Sequence, residues 1–129
     1  MKIHHVGYLV KKIDKGISAF QKLGYVLLKD VVFDEYRQAD ICFLEKDGYL
    51  IELVSPTSKD SVVANLIRKI GNSPYHICYE TNNMKEDIEK LLSEHYVICS
   101  EEHEAVAIDN RNVCFLIHPF IGMVELVEA

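Results

Sequence analysis

The sequence predicts an α+β protein in which two βαβββ modules form one curved mixed sheet. The main observation is a repeat: His5-Val6-Gly7-Tyr8 returns as His76-Ile77-Cys78-Tyr79, and Ile51-Glu52-Leu53-Val54 returns as Val124-Glu125-Leu126-Val127. The second observation is that a segment with helical periodicity follows the first motif in both halves, whereas the segments after it have the apolar character of strands. Each half is too small to be stable alone, so two such units are expected to share one sheet.

The first module is predicted to follow the order βαβββ. A strand is expected over residues 3–10, and the next segment has apolar residues at helical spacing between a possible N-cap, Asp14, and a terminating Gly24. The remaining strands are predicted at 25–33, 41–44 and 49–54. Asp47-Gly48 indicates the hairpin between the last two strands.

A linker divides the two modules. Residues 60–70 have one apolar face and are followed by Gly71, which predicts a connecting helix. The second module then begins with a strand at 75–80, and Asn83 with Glu86 three residues later predicts a helix with a capping box. Its later strands are predicted at 96–100, 113–117 and 123–127, and the boundaries between 101 and 112 are left open. The chain is thus expected to be one domain, 1–129, with module one at about 1–56, the linker helix at about 57–72 and module two at about 73–129.

Composition excludes several classes of function. The net charge is −6, and the 14 Lys and Arg are scattered among 20 acidic residues, so no nucleic-acid partner is expected. No apolar run approaches the length of about 18 residues that a membrane span needs. No signal peptide is recognised at the start, and we expect a cytoplasmic protein without membrane contact. The four cysteines occur singly and mostly within apolar runs, which predicts buried, reduced thiols.

Four polar residues occupy matched positions in the repeat and are predicted to bind a metal: His5, Glu52, His76 and Glu125. An unpaired carboxylate inside an apolar strand costs several kcal/mol, and no Lys or Arg recurs at a position that could pair with both glutamates. Two imidazoles and two carboxylates suit one divalent ion of Ni, Co, Mn, Fe or Zn in a cleft of the sheet. The alternative is a duplication that serves core packing alone. His4 is expected to face away from His5 and to be structural.

At these residues the chain resembles the vicinal oxygen chelate superfamily, which includes glyoxalase I, bleomycin-resistance proteins, dioxygenases and methylmalonyl-CoA epimerase. Residues 5–10, 51–56, 75–80 and 124–128 are similar to the superfamily's motifs of strands one, four, five and eight. The linker at 60–71 and the stretch 112–119 are similar to those of the epimerase branch. The set His, Glu, His, Glu is also the pattern of metal-dependent bacterial glyoxalase I, whereas epimerases commonly carry Gln where Glu52 stands.

The resemblance implies a glyoxalase-like fold and an enzyme, a divalent-metal-dependent isomerase or lyase that abstracts a proton alpha to a carbonyl by way of an enediolate. Methylmalonyl-CoA epimerase is the nearest type, and glyoxalase I (lactoylglutathione lyase) is the alternative. Two further possibilities are a non-haem iron dioxygenase, although such enzymes usually have a longer chain, and a module that binds and sequesters an antibiotic without catalysis. Glu125 is expected to be ligand and possible base, with Glu52 or Glu35 as the second acid/base. An acyl-CoA thioester or a hemithioacetal is the expected small-molecule substrate, and the protein is expected to be a homodimer.

Overall fold

The structure is a computed structural model that describes residues 1–129, and it contains eight strands, three α-helices and one 3₁₀ turn. In chain order the elements are β1 Lys2–Leu9, α1 Ile13–Lys22, β2 Val26–Asp34, β3 Ala39–Lys46, β4 Tyr49–Pro56, α2 Ala64–Ile70, β5 Ser73–Thr81, α3 Met84–Ser93, β6 Val97–Ala105, a 3₁₀ turn Val106–Ile108, β7 Arg111–His118 and β8 Gly122–Glu128. None of the three helices is both long and apolar enough to span a membrane.

The strands form one mixed sheet with the order β2-β3-β4-β1-β5-β8-β7-β6. Each half of this order contains one parallel pair, β1 with β4 and β5 with β8, and each half ends in antiparallel hairpins. The predicted α+β class with two βαβββ modules is therefore confirmed. The chain separates into two compact units, one made of Met1–His5 with Tyr75–Ala129 and the other made of Val6–Pro74.

In the unit Val6–Pro74, helix α1 covers one face of β4, β3 and β2. The core on that face contains Val10, Cys42, Leu44 and Leu53, with Phe20 of α1 packed against them. Phe20 makes edge-to-face contacts with Tyr8 and Tyr25, with ring centroids 5.1 Å apart in both pairs. The β3–β4 hairpin turns at Asp47-Gly48 as predicted. Both residues have positive φ angles of 54° and 84°, which suit a tight primed turn.

In the unit Met1–His5 with Tyr75–Ala129, helix α3 covers the corresponding face of β5, β8 and β7. Its core contains Met84, Cys114, Leu116, Val124 and Leu126. Since neighbouring residues of a strand face opposite sides, residues that alternate with these core positions point to the other face of the sheet. Glu125, between Val124 and Leu126, is one of them.

Two helix starts differ from the sequence prediction. Asp14 does not cap α1: the N-cap is Lys12, which makes no side-chain capping bond, and Asp14 lies in the first turn. Helix α2 begins at Ala64 rather than near residue 60, because Ser61 donates its hydroxyl to the carbonyl of Arg37 and its N–H to the carbonyl of Ser58, which holds the preceding residues in turns. The predicted capping box of α3 is present, since the Asn83 side chain accepts a hydrogen bond from the Glu86 N–H.

Candidate metal centre

Three of the four predicted ligands meet on the helix-free face of the unit Met1–His5 with Tyr75–Ala129. His5 lies on β1, His76 on β5 and Glu125 on β8. The two Nε2 atoms are 3.2 Å apart, and each lies 3.1 Å from Oε1 of Glu125. The three residues are 1%, 3% and 2% exposed, so their side chains are almost completely covered by the protein.

Strand register and aromatic packing position these side chains. In the parallel pair β5–β8, Cys78 is the partner of Glu125, two residues after His76 and on the same face. The His76 ring is held edge-on between Tyr75 and Phe115, at centroid distances of 4.4 Å and 5.2 Å. The donors are therefore fixed by packed strands before any ligand binds.

The charge of Glu125 is the main electrostatic feature of the cluster. Burial alone would raise the pKa of this carboxyl, but the adjacent imidazoles of His5 and His76 have the larger effect and lower the pKa below its ordinary value. Glu125 is thus an anion at neutral pH. Its Oε1 is nevertheless a buried oxygen without a hydrogen bond of good geometry, although two imidazole nitrogens lie 3.1 Å away.

These observations fit a divalent metal ion. Two imidazole nitrogens and one carboxylate oxygen are the donor types that divalent transition metals prefer. Adjacent ligands of an octahedral ion with bonds of about 2.1 Å are about 3 Å apart. The observed separations of 3.1 Å and 3.2 Å have this spacing, and an ion would also satisfy the buried Oε1.

Glu52, the fourth predicted ligand, belongs to the other compact unit. It lies on β4 opposite Gly7 of β1 and Phe43 of β3, and it is only 5% exposed. Gly7 is two residues after His5, so it shares a face of β1 with that histidine. The Glu52 carboxylate affects the thiol of Cys42. The pKa of this thiol is raised to about 12, mainly by burial and to a smaller extent by Glu52.

The chain matches a known family over most of its length. The profile of the Glyoxalase/Bleomycin resistance protein/Dioxygenase superfamily aligns with residues 4–115. The chain belongs to this superfamily. The resemblance expected from the four strand motifs is therefore confirmed.

Several proteins of known sequence or structure are similar to the chain. It is 25% identical over 95 residues to the uncharacterized protein YqjC of Bacillus subtilis, which covers 73% of this chain and 67% of YqjC. The hypothetical protein BH1468 of Bacillus halodurans has a TM-score of 0.86 at 26% identity, over 99% of this chain and 94% of that one. Methylmalonyl-CoA epimerase of Mycobacterium tuberculosis has a TM-score of 0.82 at 23% identity, over 98% and 87% of the two chains. An epimerase of Streptomyces coelicolor, in complex with 2-nitronate-propionyl-CoA, has a TM-score of 0.83 at 21% identity, over 100% and 97%.

Glu35, the remaining predicted catalytic residue of this chain, is exposed in the turn that follows β2. The buried carboxylate of that turn is its neighbour Asp34, which pairs with Arg37 at 2.8 Å and caps the Arg37 N–H. The Glu35 backbone carbonyl accepts a hydrogen bond from the Gln38 side chain at 2.7 Å. The acid/base role of Glu35 stays a prediction.

Two expectations about other residues were wrong. His4 was expected to face away from His5, but its Nδ1 lies 2.8 Å from Nδ1 of His5. Alternation along β1 fixes the direction of the Cα–Cβ bond, whereas an imidazole is long enough to turn back toward its neighbour, so the pattern gave no signal for this contact. Among the cysteines, Cys42, Cys78 and Cys114 are buried as expected, but Cys99 is exposed.

Proposed function

We propose that this protein is a divalent-metal-dependent enzyme that removes a proton alpha to a carbonyl, of the methylmalonyl-CoA epimerase type. The observation that carries the proposal is the buried cluster of two imidazoles and one ionised carboxylate. Burial of such a cluster costs free energy unless a ligand compensates for it, because an ionised carboxylate is removed from water and its Oε1 has no hydrogen bond of good geometry.

We further propose that His5, Glu52, His76 and Glu125 together hold the ion. These four form a group of buried side chains that each offer one possible ligand atom. Two carboxylates and two neutral imidazoles would balance the charge of a divalent ion and leave positions of an octahedron for substrate oxygens. Ni, Co, Mn, Fe and Zn all suit these donors.

A bound divalent ion would supply Lewis acidity toward a substrate carbonyl, which lowers the barrier to removal of the adjacent proton by several kcal/mol. The protein would contribute the base and the acid. Glu125 is ionised at neutral pH because of its lowered pKa, and it is the proposed ligand and possible base. Glu52 or Glu35 is the proposed second acid/base, and epimerisation requires the two groups to act on opposite faces of the planar carbanion.

An acyl-CoA thioester is the proposed substrate class. Support comes from the similar folds of epimerases that were solved with 2-nitronate-propionyl-CoA and with methylmalonyl-CoA. A hemithioacetal, the substrate type of glyoxalase I, is the second candidate, and it is favoured by the carboxylate of Glu52 at a position where epimerases commonly carry an amide. We also propose a homodimer, for which light scattering should give twice the chain mass of 14.8 kDa.

The test uses the metal-loaded protein with methylmalonyl-CoA in D₂O and, separately, with methylglyoxal plus a thiol. Deuterium uptake at the α-carbon supports the epimerase, and formation of a hydroxyacyl thioester supports the glyoxalase. If the protein retains no metal after incubation with the ion and catalyses neither reaction, the enzymatic proposal is overturned and a binding module remains.

Substitution of Glu125 gives the sharper test of the site. Glu125→Gln is expected to lose both metal content and turnover, because it removes the carboxylate whose Oε1 lies 3.1 Å from both imidazole nitrogens. Glu128→Gln is the matched control, since Glu128 is exposed near the end of the same strand. Full metal content and turnover in Glu125→Gln would contradict the assignment.

A further inference from the structure

We propose that His4 is a positioning residue for the metal centre, which fixes the tautomer and the orientation of the His5 ring. The inference rests on the proposed function of the site, because it gives His4 a role toward a metal ligand. The observation behind it is the close approach of two adjacent histidines on one strand.

The two nitrogens of the His5 ring face different partners. Its Nε2 lies 3.2 Å from Nε2 of His76 and 3.1 Å from Oε1 of Glu125, in the donor cluster. Its Nδ1 lies 2.8 Å from Nδ1 of His4, and the two rings are edge-to-face at 79°. One side of the ring therefore belongs to the metal centre and the other side to His4.

A hydrogen bond between two Nδ1 atoms needs one donor and one acceptor. A metal ligand must offer a lone pair, so His5 can bind through Nε2 only when its proton is on Nδ1. Nδ1–H of His5 then donates to Nδ1 of His4, and His4 must carry its own proton on Nε2. With His4 as the acceptor, the contact stabilises the neutral tautomer of His5 that leaves Nε2 open to the cluster.

Polar groups of neighbouring strands surround the His4 ring. Its ring is partly buried, and the charges near it are those of Arg111, Glu80 and Glu125. Arg111 and Glu80 neutralise each other in an ion pair of 2.7 Å. The Cys78 thiol, which is fully buried, lies within 4.8 Å of ring nitrogens of both His4 and His5.

In many metal sites a ligating histidine gives its second N–H to a carboxylate, a backbone carbonyl or water, and loss of that partner costs about ten- to hundredfold in metal affinity. Here the partner would be the side chain of the preceding residue. A ring that only filled space beside His5 would not need a nitrogen at this point.

The test compares His4→Asn with His4→Leu. The two replacement side chains have nearly the same shape, and the Asn Oδ1 can take the place of the Nδ1 acceptor, whereas Leu offers none. The affinity of each purified full-length variant for Co²⁺ would be measured by competition with a chelator, and the Nδ1–H proton of His5 would be followed by NMR of the Co²⁺-loaded protein.

His4→Asn is expected to bind Co²⁺ about as tightly as the unaltered protein and to keep the slowly exchanging Nδ1–H signal. His4→Leu is expected to bind about ten- to hundredfold more weakly and to lose that signal. If the two variants bind Co²⁺ with equal affinity, whether that affinity is unchanged or weakened, the positioning role of His4 is overturned. The proposed function would not be affected by that result. Failure of the unaltered protein to bind Co²⁺ would instead overturn the proposed function.

Discussion

At the scale of single residues, the four cysteines differ in their exposure to solvent. Burial raises the pKa of the Cys42 and Cys114 thiols to about 12, and both side chains are almost completely covered. Cys78 is fully covered as well. Cys99 lies on the edge strand β6 and is exposed. Reactivity toward alkylating agents should therefore be confined to one thiol.

Native protein treated with iodoacetamide at mildly alkaline pH is expected to gain one label, on Cys99, because this thiol is exposed; burial raises the pKa of Cys99 as well, so the labelling should be slow. Mass spectrometry should find no label in Cys99→Ser, and four labels in the unfolded protein, which has four cysteines. Rapid labelling of Cys42 or Cys114 in the folded state would show that their strands open far more readily than the packing indicates.

At the scale of elements, α3 has a side-chain cap and α1 has none. Asn83→Ala removes the acceptor of the Glu86 N–H, a bond of 3.1 Å, and is expected to lower the free energy of unfolding by about 1 kcal/mol. Urea unfolding measures the change. Lys12→Ala, at the N-cap of α1, is the control and should have little effect, since Lys12 makes no capping bond there.

An ion pair links three strand ends of one unit. Arg111 at the start of β7 pairs with Glu80 of β5 at 2.7 Å and donates to the carbonyl of Glu128 at the end of β8. The hydrogen bond from Arg111 lowers the pKa of Glu80 below its ordinary value of 4.5. Because the folded-state pKa is the lower one, the pair stabilises the fold above pH 4.5, and this contribution is lost as the pH falls through the folded-state pKa.

The melting temperature of Glu80→Gln should therefore lie below that of the unaltered protein at neutral pH, and the gap should close on acidification. The pair is partly exposed, so its contribution is expected to be less than about 1 kcal/mol and to shrink in high salt. A gap that widened at low pH would contradict the assigned direction of the pKa shift.

Strand-level features of this fold could be predicted from the sequence, because a repeat of apolar residues with one His and one Glu fixes both the order of elements and the face on which those side chains lie. The positions of His5, His76 and Glu125 follow from this pattern. Features that depend on where a long or polar side chain turns could not be predicted in this way. The His4 ring reaches back to His5, and the Ser61 hydroxyl delays the start of α2, and neither contact is encoded in hydrophobic periodicity.

At the scale of the whole molecule, binding of the proposed metal ion is expected to raise the free energy of unfolding. An ion that binds the folded chain alone stabilises it by about 2.7 kcal/mol at a free concentration one hundred times the Kd. Differential scanning calorimetry with Co²⁺ or Ni²⁺ should show a rise in melting temperature that a chelator reverses. The proposed four-residue site predicts that Glu125→Gln and Glu52→Gln each reduce the rise, whereas Glu128→Gln should keep it.

The three residues of the cluster lie far apart in the sequence, and this separation affects when the cluster can form during synthesis of the chain. His5 lies on β1 and Glu125 on β8, so all of residues 5–125 must be synthesised before the three side chains can meet. Contacts this distant form late, because the loop between them must close first. A nascent chain on the ribosome would therefore expose His5 long before its partners exist, and binding of the proposed ion would come at the end of folding rather than at its start.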